Sequence, residues 1–179
     1  MNDAVKNEIE QLIKSMNKDC SVDEFQNKVD WSNISYFQTL SESFIKEFQD
    51  KVEWNNVSLG QTLSEDFIRE FQNKVDWNCI SHAQTLSESF IREFQNKVNW
   101  IYISKHQILS EDFIKEFQDK VNWGCLPENQ WHIEELILKE NIELENQLKN
   151  NKRIKKQKEQ AELNTYRKRF DIYLEGIEI

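Results

Sequence analysis

Apolar and polar positions in the middle of this chain recur with a step of 23 residues. Tryptophan marks the step at Trp31, Trp54, Trp77, Trp100 and Trp123, and segments 40–62, 63–85, 86–108 and 109–131 share the pattern LSExFIxEFQxKVxWxxISxxQx. Val57 or Leu126 sometimes replaces the Ile, and Pro127 replaces the last Ser. Self-similarity at a fixed period is the mark of an array of one supersecondary unit.

Each unit predicts two helices. Phe44, Ile45, Phe48 and Val52 fall at i, i+1, i+4 and i+8, one apolar stripe of a first helix, A. Ser41, Ser64, Ser87 and Ser110, each followed by Glu, supply an N-cap hydroxyl and a carboxylate at the positive end of the helix dipole. Leu40 and Ile45 form a hydrophobic staple that every later unit repeats. On the opposite face Glu42 with Lys46, and Glu47 with Lys51, are spaced for i, i+4 ion pairs. Trp77, Ile80, Ser81 and Gln84, at i, i+3, i+4 and i+7, predict the buried face of a second helix, B, behind a cap such as Asp76. The recurring Ser and Gln are expected to satisfy backbone groups between neighbouring units, with a peptide-gripping polar ladder as the alternative.

A single unit buries too little apolar surface to offset the ordering of its backbone, so stability must come from stacking. The expectation is an all-α fold, an α-solenoid of short helix-turn-helix repeats. Residues 1–16 read as an N-terminal capping helix with Val5, Ile9, Leu12, Ile13 and Met16 on one side. Residues 17–130 read as five repeats, the first degenerate because Ser21 stands where later units have Phe, and 131–179 as a C-terminal cap and long charged helix. Leu136, Ile137, Leu144 and Leu148 are expected to pack on the last repeat, with either one long helix or a hinge near Asn150 and Asn151.

Comparing the repeats with one another separates constant positions from free ones. The free positions of helix B lie one, two, five and six residues after each Trp, and i, i+4 spacing puts them on one face. Stacking joins these faces into a strip with Tyr36, Phe37, Leu59, His82, Ile101, Tyr102, Lys105 and His106 as candidate partner-binding residues. Exposed aromatics of this kind suit interface anchors.

Charge adds a second feature. The net charge of −9 conceals nine Lys or Arg against Glu159 and Glu162 in residues 149–169, a local +7 that leaves −16 for the remainder. Within this stretch Lys152, Arg153, Lys155, Lys156, Arg167, Lys168 and Arg169 are candidate contacts to phosphate or an acidic partner. The cations surround the helix rather than forming a stripe. Leu163, Phe170 and Ile177, with Tyr166 and Tyr173, make a short a/d seam for docking or for a homodimer.

Chemistry is sparse. Cys79 and His82 form a CxxH without a second ligand pair, the histidines His82, His106 and His132 fit no triad, and no Gly-rich phosphate loop is present. No catalytic residue, metal or cofactor is expected. Cys20, Cys79 and Cys125 are expected to be reduced, since repeats stacked at ~10 Å keep Cys79 and Cys125 far beyond disulfide reach. No apolar run approaches a membrane span and the N-terminus carries charges in place of a signal core, so a cytoplasmic location is expected.

The strings LSEDFIREFQNKVDW (63–77) and LSEDFIKEFQDKVNW (109–123) resemble 23-residue tandem-repeat proteins of large DNA viruses and some phages. The resemblance covers about residues 17–130 and transfers no activity or site. It implies a viral or phage origin, a host-cytoplasm location and, as a specific form, inhibition of a host defence protein. The expected function is a non-enzymatic protein-binding scaffold. The alternative is nucleic-acid binding through the basic C-terminal helix, or acidic mimicry of nucleic acid by the repeats.

Overall fold

Ser41, Ser64, Ser87 and Ser110 hold extended backbone and accept hydrogen bonds on their hydroxyls from the amides of Phe44, Phe67, Phe90 and Phe113, so each Ser-Glu pair starts a helix. A computed structural model describes residues 1–175, with the side chains of Asn129, Trp131 and residues 166–175 outside the description. Among the described residues there are eleven α-helices and no strand. They are α1 (Asp3–Ser15), α2 (Val22–Lys28), α3 (Trp31–Phe37), α4 (Glu42–Glu47), α5 (Trp54–Gly60), α6 (Glu65–Glu70), α7 (Trp77–Ala83), α8 (Glu88–Glu93), α9 (Trp100–His106), α10 (Glu111–Glu116) and α11 (Trp131–Glu175). Helix A of the repeats is α4, α6, α8 and α10, and helix B is α3, α5, α7 and α9. The chain divides into two compact units, Met1–Pro127 and Glu128–Ile179.

In the first unit, helix B of each repeat packs on helix B of the next, α3 on α5, α5 on α7 and α7 on α9. The all-α repeat array read from the periodicity is the observed fold. Helix A is shorter than its stripe predicted, because Phe48 leaves helical backbone at φ −107°, ψ 28°. The amides of Lys51 and Val52 both return to the Phe48 carbonyl, closing a turn. The Trp54 indole N–H donates to the Gln49 carbonyl at 2.9 Å, and Trp77 and Trp100 repeat this on Gln72 and Gln95. The indole takes an acceptor that a longer helix would have needed, and the chain turns into helix B.

The tryptophans bind one repeat to the next. The Trp54 ring centroid lies 6.4 Å from that of Phe67 and 5.1 Å from that of Phe71, both on the following repeat. The ammonium groups of Lys74, Lys97 and Lys120 stand over the half-buried rings of Trp54, Trp77 and Trp100 at 5.8, 5.6 and 5.9 Å. The polar ladders also run between repeats. Gln84 accepts from the Leu63 amide and donates to the Ser58 and Gln61 carbonyls, and Gln61 and Gln107 make the equivalent three bonds. Ser58 and Ser81 accept from the amides of Asp76 and Asn99, each at the start of the next helix B. One buried amide thus satisfies three backbone groups that two helix ends leave open.

The helix A charges pair mainly across repeats instead of staying local. Lys46 meets Glu70, Arg69 meets Glu93 and Arg92 meets Glu116. Arg69 and Arg92 retain longer i, i+4 contacts to Glu65 and Glu88, at 3.5 and 3.7 Å. Glu42, Glu65 and Glu88 each accept from the Ser amide that opens the next helix A.

The two ends of the first unit differ from its middle for readable reasons. Glu8 of α1 accepts from the Ser41 amide and hydroxyl, the place Glu42 takes toward Ser64, so α1 stands in for a preceding repeat. In the degenerate first repeat Phe25, four residues after Ser21, is fully buried and packs edge-on against Trp31 and Phe44. The fifth repeat has no α-helical helix B. Only a single 3₁₀ turn forms at Trp123–Cys125, since Pro127 lacks an N–H and holds Leu126 extended at ψ 146°.

The second unit consists of a 3₁₀ turn at Glu128–Gln130 and α11, which runs unbroken through Asn150 and Asn151. Ile133 and Ile137 are buried, but Leu136, Leu144 and Leu148, expected to pack, are exposed.

Candidate functional site

Helix B presents its constant residues inward, and Asp30, Asp76 and Asn99 cap α3, α7 and α9 by accepting from amides of their first turns. The Gln that follows α5, α7 and α9 locks the C-terminal end of the preceding helix B, Gln61 that of α3, Gln84 that of α5 and Gln107 that of α7. Ile34, Val57, Ile80 and Ile103 are fully buried on the constant face, and the residues one, two, five and six after Trp31, Trp54, Trp77 and Trp100 lie on the exposed or half-buried side. Phe37 is 70% exposed, Ile101 50%, Tyr36 40% and Leu59 38%, whereas a core Ile on the same helices has 0–1%. His82, Lys105 and His106 are exposed and Tyr102 is half-buried.

The strip residues form two clusters. At one end Tyr36 and Phe37 meet edge to face, centroids 4.8 Å apart. Their shape depends on Gly60 of α5, where a Cβ would lie 2.8 Å from the Tyr36 carbonyl and 3.1 Å from its ring. Toward the other end His82 of α7 packs edge-on against both Tyr102 and His106 of α9, at 5.2 and 4.6 Å. Leu59, on α5 between them, lines a shallow groove of about 250 Å³ with Asn78, Cys79, His82 and Tyr102. A second groove of about 370 Å³ lies along Asp30, Ser32, Asn33, Tyr36, Phe37 and Asn56. Lys105 shares the exposed face without joining either ring cluster.

Amide rungs add a feature that the partner-binding set omitted. Asn56 donates to Ser32, and Asn99 donates to Asn78, across neighbouring repeats. Asn56, Asn78 and Cys79 occupy the same non-repeating positions as the aromatics, and that variability was the signal for them.

Electrostatics favour neutral groups here. Burial, then the hydrogen bond to Asp76, pushes the Cys79 thiol up to about 11, the opposite of the shift that makes a nucleophilic thiolate. Partial burial, His82 and Lys105 together hold His106 below the ordinary imidazole range. Among the described residues no three His, Cys, Asp or Glu side chains gather as a metal site, and no helix is long and apolar enough to cross a membrane.

The remaining candidates lie on α11. Lys152, Arg153, Lys155 and Lys156 are exposed, and Leu163 is 49% exposed. The side chains of Tyr166, Arg167, Lys168, Arg169, Phe170 and Tyr173, and all of Ile177, lie outside the described residues, leaving Leu163 as the one described member of the a/d seam.

Comparison with protein-family models, curated proteins and solved structures gives no match.

Proposed function

We propose that the chain is a non-enzymatic protein-binding repeat scaffold whose helix B strip holds a protein partner. The observation that carries this reading is the exposure of Phe37, Ile101, Tyr36 and Leu59 on short helices fixed by the array, α3 between its Asp30 cap and the Gln61 amide, α5 by the Gln84 amide and α9 by its Asn99 cap. Anchors held this way lose little conformational freedom on binding, which favours affinity. In its specific form, suggested by the likeness of the repeat to viral and phage proteins, the partner is a host defence protein.

Capture from host-cell lysate followed by mass spectrometry tests the reading through paired variants. A partner held by the wild-type chain should be lost by the double variant Phe37→Glu, Ile101→Glu, whose helicity and melting stay unchanged because both side chains are largely exposed. A partner retained by that variant removes the strip from the reading.

A further inference from the structure

Residues 146–158 contain six cations and no acid: Lys149, Lys152, Arg153, Lys155, Lys156 and Lys158. All six are exposed on α11, and among the described residues Lys149 alone of the six meets a carboxylate, Glu145 at 3.6 Å. Several repeat cations are treated differently: Lys46, Arg69, Lys74 and Arg92 each meet a carboxylate of a neighbouring repeat. Like charges at i, i+4, as in Lys149 with Arg153 and Lys152 with Lys156, also weaken the helix that carries them. A run of exposed, mutually repelling cations with no acid among them is suited to neutralisation by an external polyanion.

We infer that the 149–158 segment of α11 binds the phosphate backbone of duplex DNA, independently of the helix B strip. The angular distribution selects this partner. Lys149, Lys152, Arg153 and Lys156, at i, i+3, i+4 and i+7, share one side of the helix, Lys155 lies on a flank and Lys158 on the far side. An acidic protein surface or a lipid headgroup layer presents charge from one side only. A B-form major groove, ~12 Å wide, admits a helix of ~10–12 Å diameter and sets a phosphate strand on either side of it. The A-form major groove of duplex RNA is too narrow for this entry. Insertion at a membrane interface would require an apolar face, and the side opposite Lys149 and Lys156 carries Asn151, Ile154 and Lys158. Ten residues span ~15 Å of helix, against which duplex DNA offers about one charge per 1.7 Å of axis.

Fluorescence anisotropy of the full chain on a random-sequence DNA duplex, titrated with salt from about 50 to 200 mM, tests the inference. The wild-type chain should bind with a steep salt dependence. The variant Lys152→Gln, Arg153→Gln, Lys155→Gln, Lys156→Gln should bind roughly tenfold or more weakly at low salt, its slope of log K on log salt shallower by about 3.6. Gln keeps helix propensity, and the companion Lys152→Arg, Lys155→Arg, Lys156→Arg variant should keep wild-type slope, so a loss caused by unfolding is distinguished from a loss of charge. Absence of wild-type binding at low salt, or an unchanged slope in the Gln variant, overturns the inference. Equal affinity for polyglutamate at matched ionic strength also overturns it and makes an acidic protein the partner. The Phe37→Glu, Ile101→Glu variant should keep DNA binding; its loss there would place the contact on the strip.

Discussion

The repeat array and α11 are both helical, both rich in Lys and Glu, and they use these residues in opposite ways. In the array charged side chains reach neighbouring repeats: Lys46 to Glu70, Lys74 to Asp50, Glu88 to the Ser110 amide. On α11 the pairs Lys139 with Glu135 and Lys149 with Glu145 stay within one helix. Apolar residues divide similarly. Phe44, Phe90, Phe113 and the Ile beside each are fully buried, whereas Leu138, Ile142, Leu144 and Leu148 are more than half exposed. A helix of six or seven residues is far below the length that holds itself together in water, so the short helices exist only through what they pack against. The length of α11 lets it keep its helical bonds without burying most of its surface.

The sharpest way to break this comparison is a matched pair of truncations. Phe90→Ala should cost about 3–5 kcal/mol, and Leu144→Ala should stay within about 0.5 kcal/mol, both by urea denaturation. Equal losses would mean that α11 is held by burial as the array is. Gln84→Ala should cost about 2–3 kcal/mol by the same measurement, since it strands the Leu63 amide and the Ser58 and Gln61 carbonyls out of water. Tolerance of this change would deny the amide ladder its part in joining repeats.

Smaller effects refine the contrast. Gly60→Ala places a methyl 2.8 Å from the Tyr36 carbonyl and should lower stability by about 1–2 kcal/mol despite better helix propensity. Gly124→Ala meets nothing nearer than Asn122 at 3.6 Å and should leave the melting temperature nearly unchanged. Arg92→Gln removes an exposed inter-repeat pair and should cost no more than about 1 kcal/mol, an effect that added salt should shrink. Cys79 should report its surroundings without any change in stability. Its alkylation rate, followed by mass spectrometry, should still be rising as pH approaches 11, because only the thiolate reacts and burial beside Asp76 keeps the thiol protonated. A plateau by pH 9 would contradict that environment.

Much of the fold was legible in the residues themselves. The 23-residue step, the Ser caps, the Trp-Ile-Ser-Gln face and the free face opposite it all follow from periodicity and capping chemistry, which act within a few residues. The repeats also served as their own alignment, and that is why the exposed strip from Tyr36 to His106 could be named before any geometry was known. Contacts between repeats are another matter, because their partners lie 18–26 residues apart and no local spacing reveals them. Only the tertiary structure ended helix A at Phe48, sent Arg69 to Glu93 rather than to Glu65 alone, packed Phe25 against Trp31 and Phe44, and let Glu8 cap Ser41 in lieu of a repeat. The physical reason is the same in each case. An indole N–H, a carboxylate or a ring goes where a buried group needs a partner, and stacking decides where that need arises.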